Sequence, residues 1–171
     1  MQNEEKLEKL LELGVDTRGL IINQTIMAER LIDEYLSNHF CNTQEDVVEI
    51  MDLVFGSKSI TFESKHQIFK EILKRYNKDF QSSNKTIHKD IDEMIRIRNI
   101  MAHYLLDTTY DVVEGFSGNE ISFIKFAKIR VKETFTTDKI ASHLKMLDET
   151  IDKIIILNSE TKTSSATPQE S

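Results

Sequence analysis

Apolar side chains recur every three or four residues along most of the chain, which is the spacing of one face of an α-helix. The pattern predicts a short helix over residues 4–13, ended or kinked by Gly14, and a long helix over residues 16–39. A third helix is predicted to start from a capping signal at Thr43 and to stop at Gly56. The first third of the chain is therefore expected to be helical.

The middle of the chain continues this pattern and then changes period. A helix capped by Thr61 or Ser64 is followed by a polar loop over residues 81–85 and by a helix over residues 86–106. Between residues 121 and 135, apolar and polar side chains alternate and β-formers are frequent. This alternation predicts a β-hairpin inserted between two helices.

The C-terminal part returns to helical spacing. The last helix is predicted to begin at a cap formed by Thr137 and Asp138 and to continue past Ile155. Residues 159–171 combine Ser, Thr, Glu, Gln and the only proline with few apolar groups, so we expect a disordered tail. The organisation predicted from these patterns is one helical domain over residues 1–158 followed by this tail.

Composition supports one mainly helical domain. The 171 residues are 39% hydrophobic, which is enough for one core, and include only five glycines and one proline. Cys41 is the only cysteine, so no internal disulfide forms, as expected in a reducing compartment. The acidic, polar N-terminus does not resemble a secretory signal, and no apolar run approaches the roughly 18 to 20 residues of a membrane helix. We therefore expect a cytoplasmic protein without membrane contact.

The charge is distributed unevenly. The net charge of −7 argues against a protein that binds nucleic acid regardless of sequence. Residues 57–103 nevertheless contain ten basic and six acidic side chains, an excess that the two flanking regions lack. Solvated helix faces and a surface for an anionic partner both account for this local excess, and composition does not choose between them.

The helix over residues 86–106 contains the most unusual placement of a charged residue. On a helical wheel, Arg98 falls in the middle of the apolar stripe, where a guanidinium costs free energy unless an anion or a hydrogen-bond acceptor meets it. Ile97 and Ile100 fall on the opposite side, so we expect burial on more than one face. Glu29 interrupts the apolar stripe of the long helix and is the candidate structural partner of Arg98.

Two further polar residues follow on this helix. Asn99 and His103 are four residues apart and share a helical face, whereas Arg98 and His103 are separated by about 140° around an ideal helix. The long arginine side chain can still reach a crevice that the histidine lines. A surface histidine and an ion-paired arginine are the ordinary explanation of such a pattern, and spacing alone does not assign a function.

The segment Ile97–His103 resembles the Arg-x4-6-His signature of HEPN domains. In many members a polar residue, often asparagine, follows the arginine, as Asn99 follows Arg98, and an alanine such as Ala102 precedes the histidine. As a pattern of elements, the resemblance covers about residues 16–158. It implies a HEPN-like bundle of four to six helices, here with a β-hairpin before the last long helix that the minimal four-helix form lacks.

This resemblance implies a metal-independent endoribonuclease, in some members a toxin or a phage-defence protein, that needs no cofactor. Such domains usually form homodimers, and Arg98, Asn99 and His103 carry over as residues of a composite site at the subunit interface. Besides RNA, an antitoxin or another regulatory protein is an implied partner. One toxin branch has a tyrosine two residues after the histidine. Here that position is Leu105 and Tyr104 comes one residue early, so assignment to that branch is weakened.

RNA cleavage without a metal is chemically reasonable because the 2′-OH is an internal nucleophile. Histidine transfers protons in either direction near neutral pH, and arginine holds two phosphate oxygens in its planar fork. The expected product is a 2′,3′-cyclic phosphate, and DNA, which lacks the 2′-OH, should not be cut. The basic helix before the motif supplies the predicted RNA contacts, which are Lys65, Lys70, Lys74 and Arg75.

Two alternatives remain open from the sequence. The first is a non-catalytic HEPN-like module that binds RNA or nucleotide without turnover. The second is a helical interaction scaffold in which Arg98 is a structural ion-pair residue, so that its loss destabilises the fold by a few kcal/mol. Other chemistries lack their motifs, since there is no glycine-rich phosphate loop, no serine nucleophile elbow and no Cys/His set with zinc spacing.

Overall fold

The computed structural model describes residues 2–57, 59–126 and 129–165. Within these residues the chain is mainly helical, with a small three-stranded antiparallel sheet of order β1-β2-β3. The predicted mainly helical class and the β-hairpin before the last long helix are therefore confirmed. The helices are α1 (Gln2–Phe40), α2 (Gln44–Ile50), α3 (Phe62–Tyr76), α4 (Lys78–Ser83), α5 (Ile87–His103), α6 (Tyr110–Gly115) and α7 (Thr137–Ser165). The strands are β1 (Leu105–Leu106), β2 (Glu120–Lys125) and β3 (Val131–Thr136), and Met51–Phe55 is a π-helical turn.

Helix α1 is one continuous helix, so the prediction of two helices separated at Gly14 is wrong. Gly14 is buried, and a Cβ atom at this position would lie 2.7 and 2.9 Å from the two Cδ atoms of Leu106. The glycine therefore permits close packing against Leu106 without breaking the helix. Packing of the surrounding helix outweighs the modest helix-propensity penalty of a single glycine.

The predicted capping signals at the start of the second helix are confirmed. The Thr43 hydroxyl accepts a hydrogen bond from the backbone N–H of Asp46 and donates to the Asp46 carboxylate at 2.7 Å. After α2 the chain passes through the π-helical turn and leaves helical geometry at Gly56, as predicted. A Cβ at Gly56 would lie 2.8 Å from the backbone oxygen of Asp52, so this turn has no room for a side chain.

Helices α3 and α4 differ in how well the sequence anticipates them. Thr61, one of the two predicted caps, is the N-cap of α3 and accepts a hydrogen bond from the backbone N–H of Ser64. The short helix α4 occupies residues 78–83, where the sequence predicts a polar loop over residues 81–85. The loop prediction is therefore wrong for residues 81–83, because one turn of helix leaves little periodic signal.

Helix α5 ends at His103, three residues earlier than predicted, because the next residues join the sheet. Leu105 and Leu106 form β1 and pair antiparallel with Ile124 and Phe123 of β2. A two-residue strand has no alternating pattern of its own. The pairing of β1 with β2 holds the backbone of the residues that follow α5.

The hairpin of β2 and β3 forms the rest of the sheet. Its register runs from Glu120 opposite Thr136 to Lys125 opposite Val131. The central strand β2 is buried over residues 121–124, which are consecutive, so both of its faces are covered. This burial explains why the apolar and polar alternation of β2 is imperfect.

Helix α7 begins directly after β3. Its cap is Thr136, whose hydroxyl accepts a hydrogen bond from the backbone N–H of Lys139 at 3.2 Å, so the cap lies one residue before the predicted pair Thr137 and Asp138. The helix continues to Ser165. Residues 159–165 of the predicted tail thus belong to α7, and the remainder of the predicted tail lies outside the described residues. None of the described helices has an apolar stretch long enough to cross a membrane.

The chain divides into two compact units. The first, which we call the sheet unit, consists of the residues up to Thr25 together with Arg96–Met146, and it contains the β-sheet and α6. The second, the helical unit, consists of Ile26–Ile95 and the residues from Leu147 onward. In the sheet unit Phe123 stacks edge-on against a second phenylalanine of the sheet. In the helical unit Phe69 and Leu73 are fully buried, so each unit has its own buried core.

The two glycines of α1 in the sheet unit generate a prediction about stability. Gly19 is exposed and a Cβ there meets nothing within 4 Å, so Gly19→Ala should raise the free energy of unfolding by about 0.5–1 kcal/mol through helix propensity. At Gly14 the close Leu106 side chain offsets this gain, so Gly14→Ala should be neutral or destabilising. Urea unfolding followed by circular dichroism measures both. A destabilised Gly19→Ala variant would contradict the open environment of residue 19.

Candidate functional site

Helix α5 is buried on two sides, as its sequence predicts. Ile91 and Met94 are fully buried on the predicted apolar face, and Ile97 and Ile100 on the opposite side are buried as well. Polar side chains of α5 occupy the remaining positions, and Arg98 is one of them.

The polar line of α5 runs along one edge of the helix to its C-terminus. It consists of Asp92, Arg96, Asn99 and His103, which follow one another at intervals of four, three and four residues. Asn99 is half-buried and the other three are exposed. The imidazole of His103 lies in the last turn and is open to solvent, so a ligand can approach it.

The structure brings Arg98 and Asn99 together. Arg98 is half-buried, and its Nη1 donates a hydrogen bond to Asn99 Oδ1 at 3.1 Å. Because the amide is neutral, this contact holds the guanidinium without balancing its charge. The guanidinium thus lies against Asn99, which shares a helical face with the exposed His103.

The segment after His103 is held by cation contacts within the sheet unit. Arg18 Nη2 donates to the backbone oxygen of Tyr104 at 3.0 Å, and the Arg18 guanidinium lies 5.3 Å from the Phe123 ring centroid. Lys125 Nζ lies 5.7 Å from the centroid of the Tyr104 ring. These contacts satisfy a carbonyl group at the helix C-terminus and fix the backbone next to His103.

Asp107 anchors the loop that follows β1. It is almost fully buried and accepts hydrogen bonds from the backbone N–H and the hydroxyl of Thr109, and Lys132 Nζ lies 3.2 Å from its carboxylate. Burial raises the pKa of Asp107, but the hydrogen bonds from Thr109 and the contact with Lys132 outweigh burial and lower the pKa below its usual value. Asp107 is therefore ionised and ties the hairpin to this loop.

Glu29, the predicted structural partner of Arg98, forms an ion pair with Lys65. Lys65 Nζ lies 2.6 Å from Glu29 Oε1 and 2.9 Å from Asp33 Oδ2, within the helical unit. Glu29 and Asp33 are one turn apart on α1, so one ammonium bridges both carboxylates. Burial raises the pKa of Asp33 to about 6, against the opposing effect of Lys65. Glu29 is thus paired with Lys65, and not with Arg98 as predicted.

The four cations predicted to contact RNA fall into two groups. Lys65 is only 3% exposed and is enclosed by its two carboxylates, and this position argues against a contact with an RNA phosphate. Lys70, Lys74 and Arg75 are exposed on the same helix, α3, and Arg75 lies 3.6 Å from Glu71. Only these three cations of the predicted set are available to an external anion.

Sequence reasoning missed a cluster of two histidines and one carboxylate in the helical unit. His66 Nδ1 lies 3.1 Å from Asp92 Oδ1, and His66 Nε2 lies 3.2 Å from His88 Nδ1. His66 is buried, whereas the Asp92 carboxylate is exposed. Two histidines 22 residues apart carry no joint sequence signal. Only the spacing of His88 and Asp92, four apart on α5, hints that both face the same neighbour.

The tautomers of this pair follow from its contacts. The tautomers that fit these distances have the His66 proton on Nδ1, 3.1 Å from the Asp92 carboxylate, so that neutral His66 accepts at Nε2 and His88 donates from Nδ1. Burial lowers the pKa of both imidazoles, since it disfavours the charged form. The relay therefore consists of two neutral histidines ordered by one carboxylate.

Comparison with family models, with curated proteins and with solved structures finds no match to this chain. Among the described residues, no group of three or more His, Cys, Asp or Glu side chains is arranged to hold a metal ion.

The Lys65 contacts predict a large effect of one substitution. Lys65→Met leaves two carboxylates without their cation in a mostly buried position, so we expect a loss of about 3–5 kcal/mol in the free energy of unfolding. Lys70→Met, at an exposed position on the same helix, is the matched control and should change stability by less than about 0.5 kcal/mol. Equal effects of the two substitutions in urea unfolding would contradict the buried ion-pair arrangement.

The histidine pair predicts acid sensitivity. Because the folded-state pKa of His66 and of His88 lies below the usual 6.5, the unfolded chain binds more protons below that pH, and stability falls as the pH falls. Asp33, whose pKa is raised to about 6, has the opposite effect as the pH falls through 6. Each histidine can contribute a slope of at most about 1.4 kcal/mol per pH unit.

Comparing variants isolates the histidine contribution, since Asp33 is common to all of them. The double variant His66→Gln/His88→Gln should lose the decrease in unfolding free energy between pH 7 and 5.5, whereas His103→Gln, at an exposed position, should retain it. Imidazole nitrogen shifts in the wild-type protein provide a second measurement. They should report a proton on Nδ1 of both His66 and His88, and Nε2-protonated forms would contradict the relay.

Proposed function

We propose that the protein is a metal-independent endoribonuclease of the HEPN type that cuts RNA at a site formed by two copies of the chain. The observation that carries the proposal is the arrangement at the end of α5. There, Arg98 is held against Asn99, and His103, one turn beyond Asn99, is exposed. These are the three residues that carry the resemblance to HEPN domains.

The proposed roles follow from the chemistry of each side chain. His103 takes the proton of the 2′-OH or protonates the leaving 5′ oxygen, which an exposed imidazole can do near neutral pH. Arg98 binds the phosphate oxygens and stabilises the additional negative charge of the transition state. Asn99 is a positioning residue, because its side-chain oxygen accepts the hydrogen bond from the guanidinium.

One chain provides one histidine, whereas cleavage uses both a base and an acid. Two copies related by a twofold axis would provide two histidines and two arginines around one phosphodiester. Ala102 and Leu105 are exposed next to His103, so small and apolar surface is available beside the site for a second copy. A toxin or phage-defence setting, with a regulatory protein partner, remains a prediction of the same resemblance.

The non-catalytic alternative is favoured by one specific observation. The Asn99 side-chain oxygen accepts its hydrogen bond from Arg98, so Asn99 positions the phosphate-binding group of the motif. In a module that only binds RNA or nucleotide, the same guanidinium would hold a phosphate without proton transfer. The two functions are distinguished by turnover.

The test is cleavage of a fluorescent single-stranded RNA in the presence of EDTA. Wild-type protein should cut it and leave a 2′,3′-cyclic phosphate, whereas the same sequence with 2′-deoxyribose should stay intact. His103→Ala should lower the rate about a hundredfold to ten-thousandfold, and Arg98→Ala should lower it comparably, without loss of melting temperature. Arg96→Ala is the matched control, because it removes an exposed cation of α5 outside the motif.

Two further results decide the proposal. Adding an excess of the His103→Ala variant to wild-type protein should lower the activity of the wild-type chains, because a mixed dimer keeps only one histidine, and sedimentation should show a dimer. A folded dimer that binds RNA but leaves it intact would overturn the catalytic proposal in favour of the binding module.

A further inference from the structure

The end of the β2–β3 hairpin presents apolar side chains to solvent. Phe126 is 71% exposed and Ile129 is 78% exposed, the two highest values among the large hydrophobic side chains of the described residues. Both residues lie directly outside the paired strands, one after β2 and the other shortly before β3. A flat aromatic ring in this position is a typical platform for stacking.

Basic residues flank these apolar side chains in the sequence. Residues 121–132 contain four basic and no acidic side chains, although the whole chain has a net charge of −7. Lys125, Arg130 and Lys132 are exposed. Asp107 is the carboxylate that meets two of them, at 3.2 Å from Lys132 and 3.7 Å from Arg130, so this group keeps a net positive charge.

The hairpin adjoins the candidate site through the sheet and through one cation contact. Strand β1 starts two residues after His103, and its Leu105 is paired with Ile124 in β2. The next residue of β2, Lys125, lies over the ring of Tyr104, which directly follows His103 in the chain. The exposed end of the hairpin, with its apolar and basic residues, thus starts next to the C-terminus of α5.

We propose that this hairpin end binds single-stranded RNA and guides it to the site at His103. The inference rests on the proposed function for the choice of strand and site. Bases stack on Phe126 and contact Ile129, while Lys125 and Arg130 meet the phosphates, since a single strand exposes base faces and backbone together. A duplex hides its base faces, so the hairpin end selects unpaired RNA.

Charge complementarity and continuity with the site favour this occupant. A strand lying along the hairpin meets a cation, an aromatic ring and then the cation over Tyr104 before it reaches His103. Base stacking on an exposed aromatic contributes about 1–3 kcal/mol per base, which corresponds to roughly fivefold to a hundredfold in affinity. A lipid surface is the competing occupant of an exposed apolar tip with cations, and it is an outcome of the test.

The experiment measures binding separately from cleavage. The His103→Ala variant, which the proposed function makes inactive, is titrated against a labelled single-stranded 12-nucleotide RNA, and fluorescence anisotropy gives the dissociation constant. Adding Phe126→Ser/Ile129→Ser in this background should weaken binding at least fivefold. Tyr110→Ser is the matched control, because Tyr110 is an equally exposed aromatic residue of the sheet unit, and it should leave binding unchanged.

The salt dependence tests the phosphate contacts. Lys125→Gln/Arg130→Gln should reduce the slope of log K against log salt by about 1.4, because each phosphate contact to a single strand contributes about 0.7. Lys132 is left in place because it is the closer cation to the buried Asp107. Lys9→Gln, an exposed lysine elsewhere in the sheet unit, should leave the slope unchanged.

The outcomes separate this inference from the proposed function. RNA binding that depends on the hairpin supports the inference, even if the wild-type protein never cuts RNA and the catalytic proposal fails. RNA binding that the hairpin substitutions leave unchanged overturns the inference, even if cleavage occurs. Absence of RNA binding, with or without hairpin-dependent binding to vesicles of phosphatidylcholine and phosphatidylserine, overturns it as well, and vesicle binding assigns the tip to a membrane surface.

Discussion

The need to bury α5 on two sides while keeping His103 in solvent constrains the rest of this structure. Apolar side chains such as Ile91 and Ile100 are buried on opposite faces. Between them, Asp92 lies 3.1 Å from the buried His66, and Arg96 lies 3.6 Å from Glu133. These two polar positions along the body of the helix have structural partners, and His103 is exposed at the C-terminal end.

The helices and their limits could be predicted where the signal is local. Caps such as Thr43 and Thr61 bond to backbone groups three residues away, so the sequence contains both partners. The break predicted at Gly14 is wrong because a glycine within a helical pattern resembles a helix end. The residue that requires a glycine there, Leu106, is far away in the sequence. The same applies to β1, which exists only because β2 lies beside it.

The candidate site was predicted in residue type but not in environment. The resemblance selects Arg98 and His103, and the helical wheel correctly covers both faces of α5, but neither tells which groups meet the guanidinium. Glu29 is one turn from Asp33, and this pair of acids on a largely buried face required a cation of its own. The sequence analysis singles out Glu29, which interrupts an apolar stripe, but not Asp33, and the lysine that pairs with both is more than 30 residues away in the sequence.

The location of charge, more than its total, decides which partner a surface fits. The basic excess of residues 57–103 includes Lys65, which is enclosed inside the helical unit and offers nothing to an external anion. Conversely, the last part of the chain is acidic overall, and that sum conceals the hairpin, where residues 121–132 have basic side chains and no acidic ones. A net charge contains no information on where the charged groups lie, whereas a phosphate interacts strongly only with charges within about one Debye length, roughly 8–10 Å. The fold places Lys125 of the hairpin over Tyr104, at the end of α5. A sum of charges along the sequence does not contain this placement, which is why an acidic chain can have a locally basic surface.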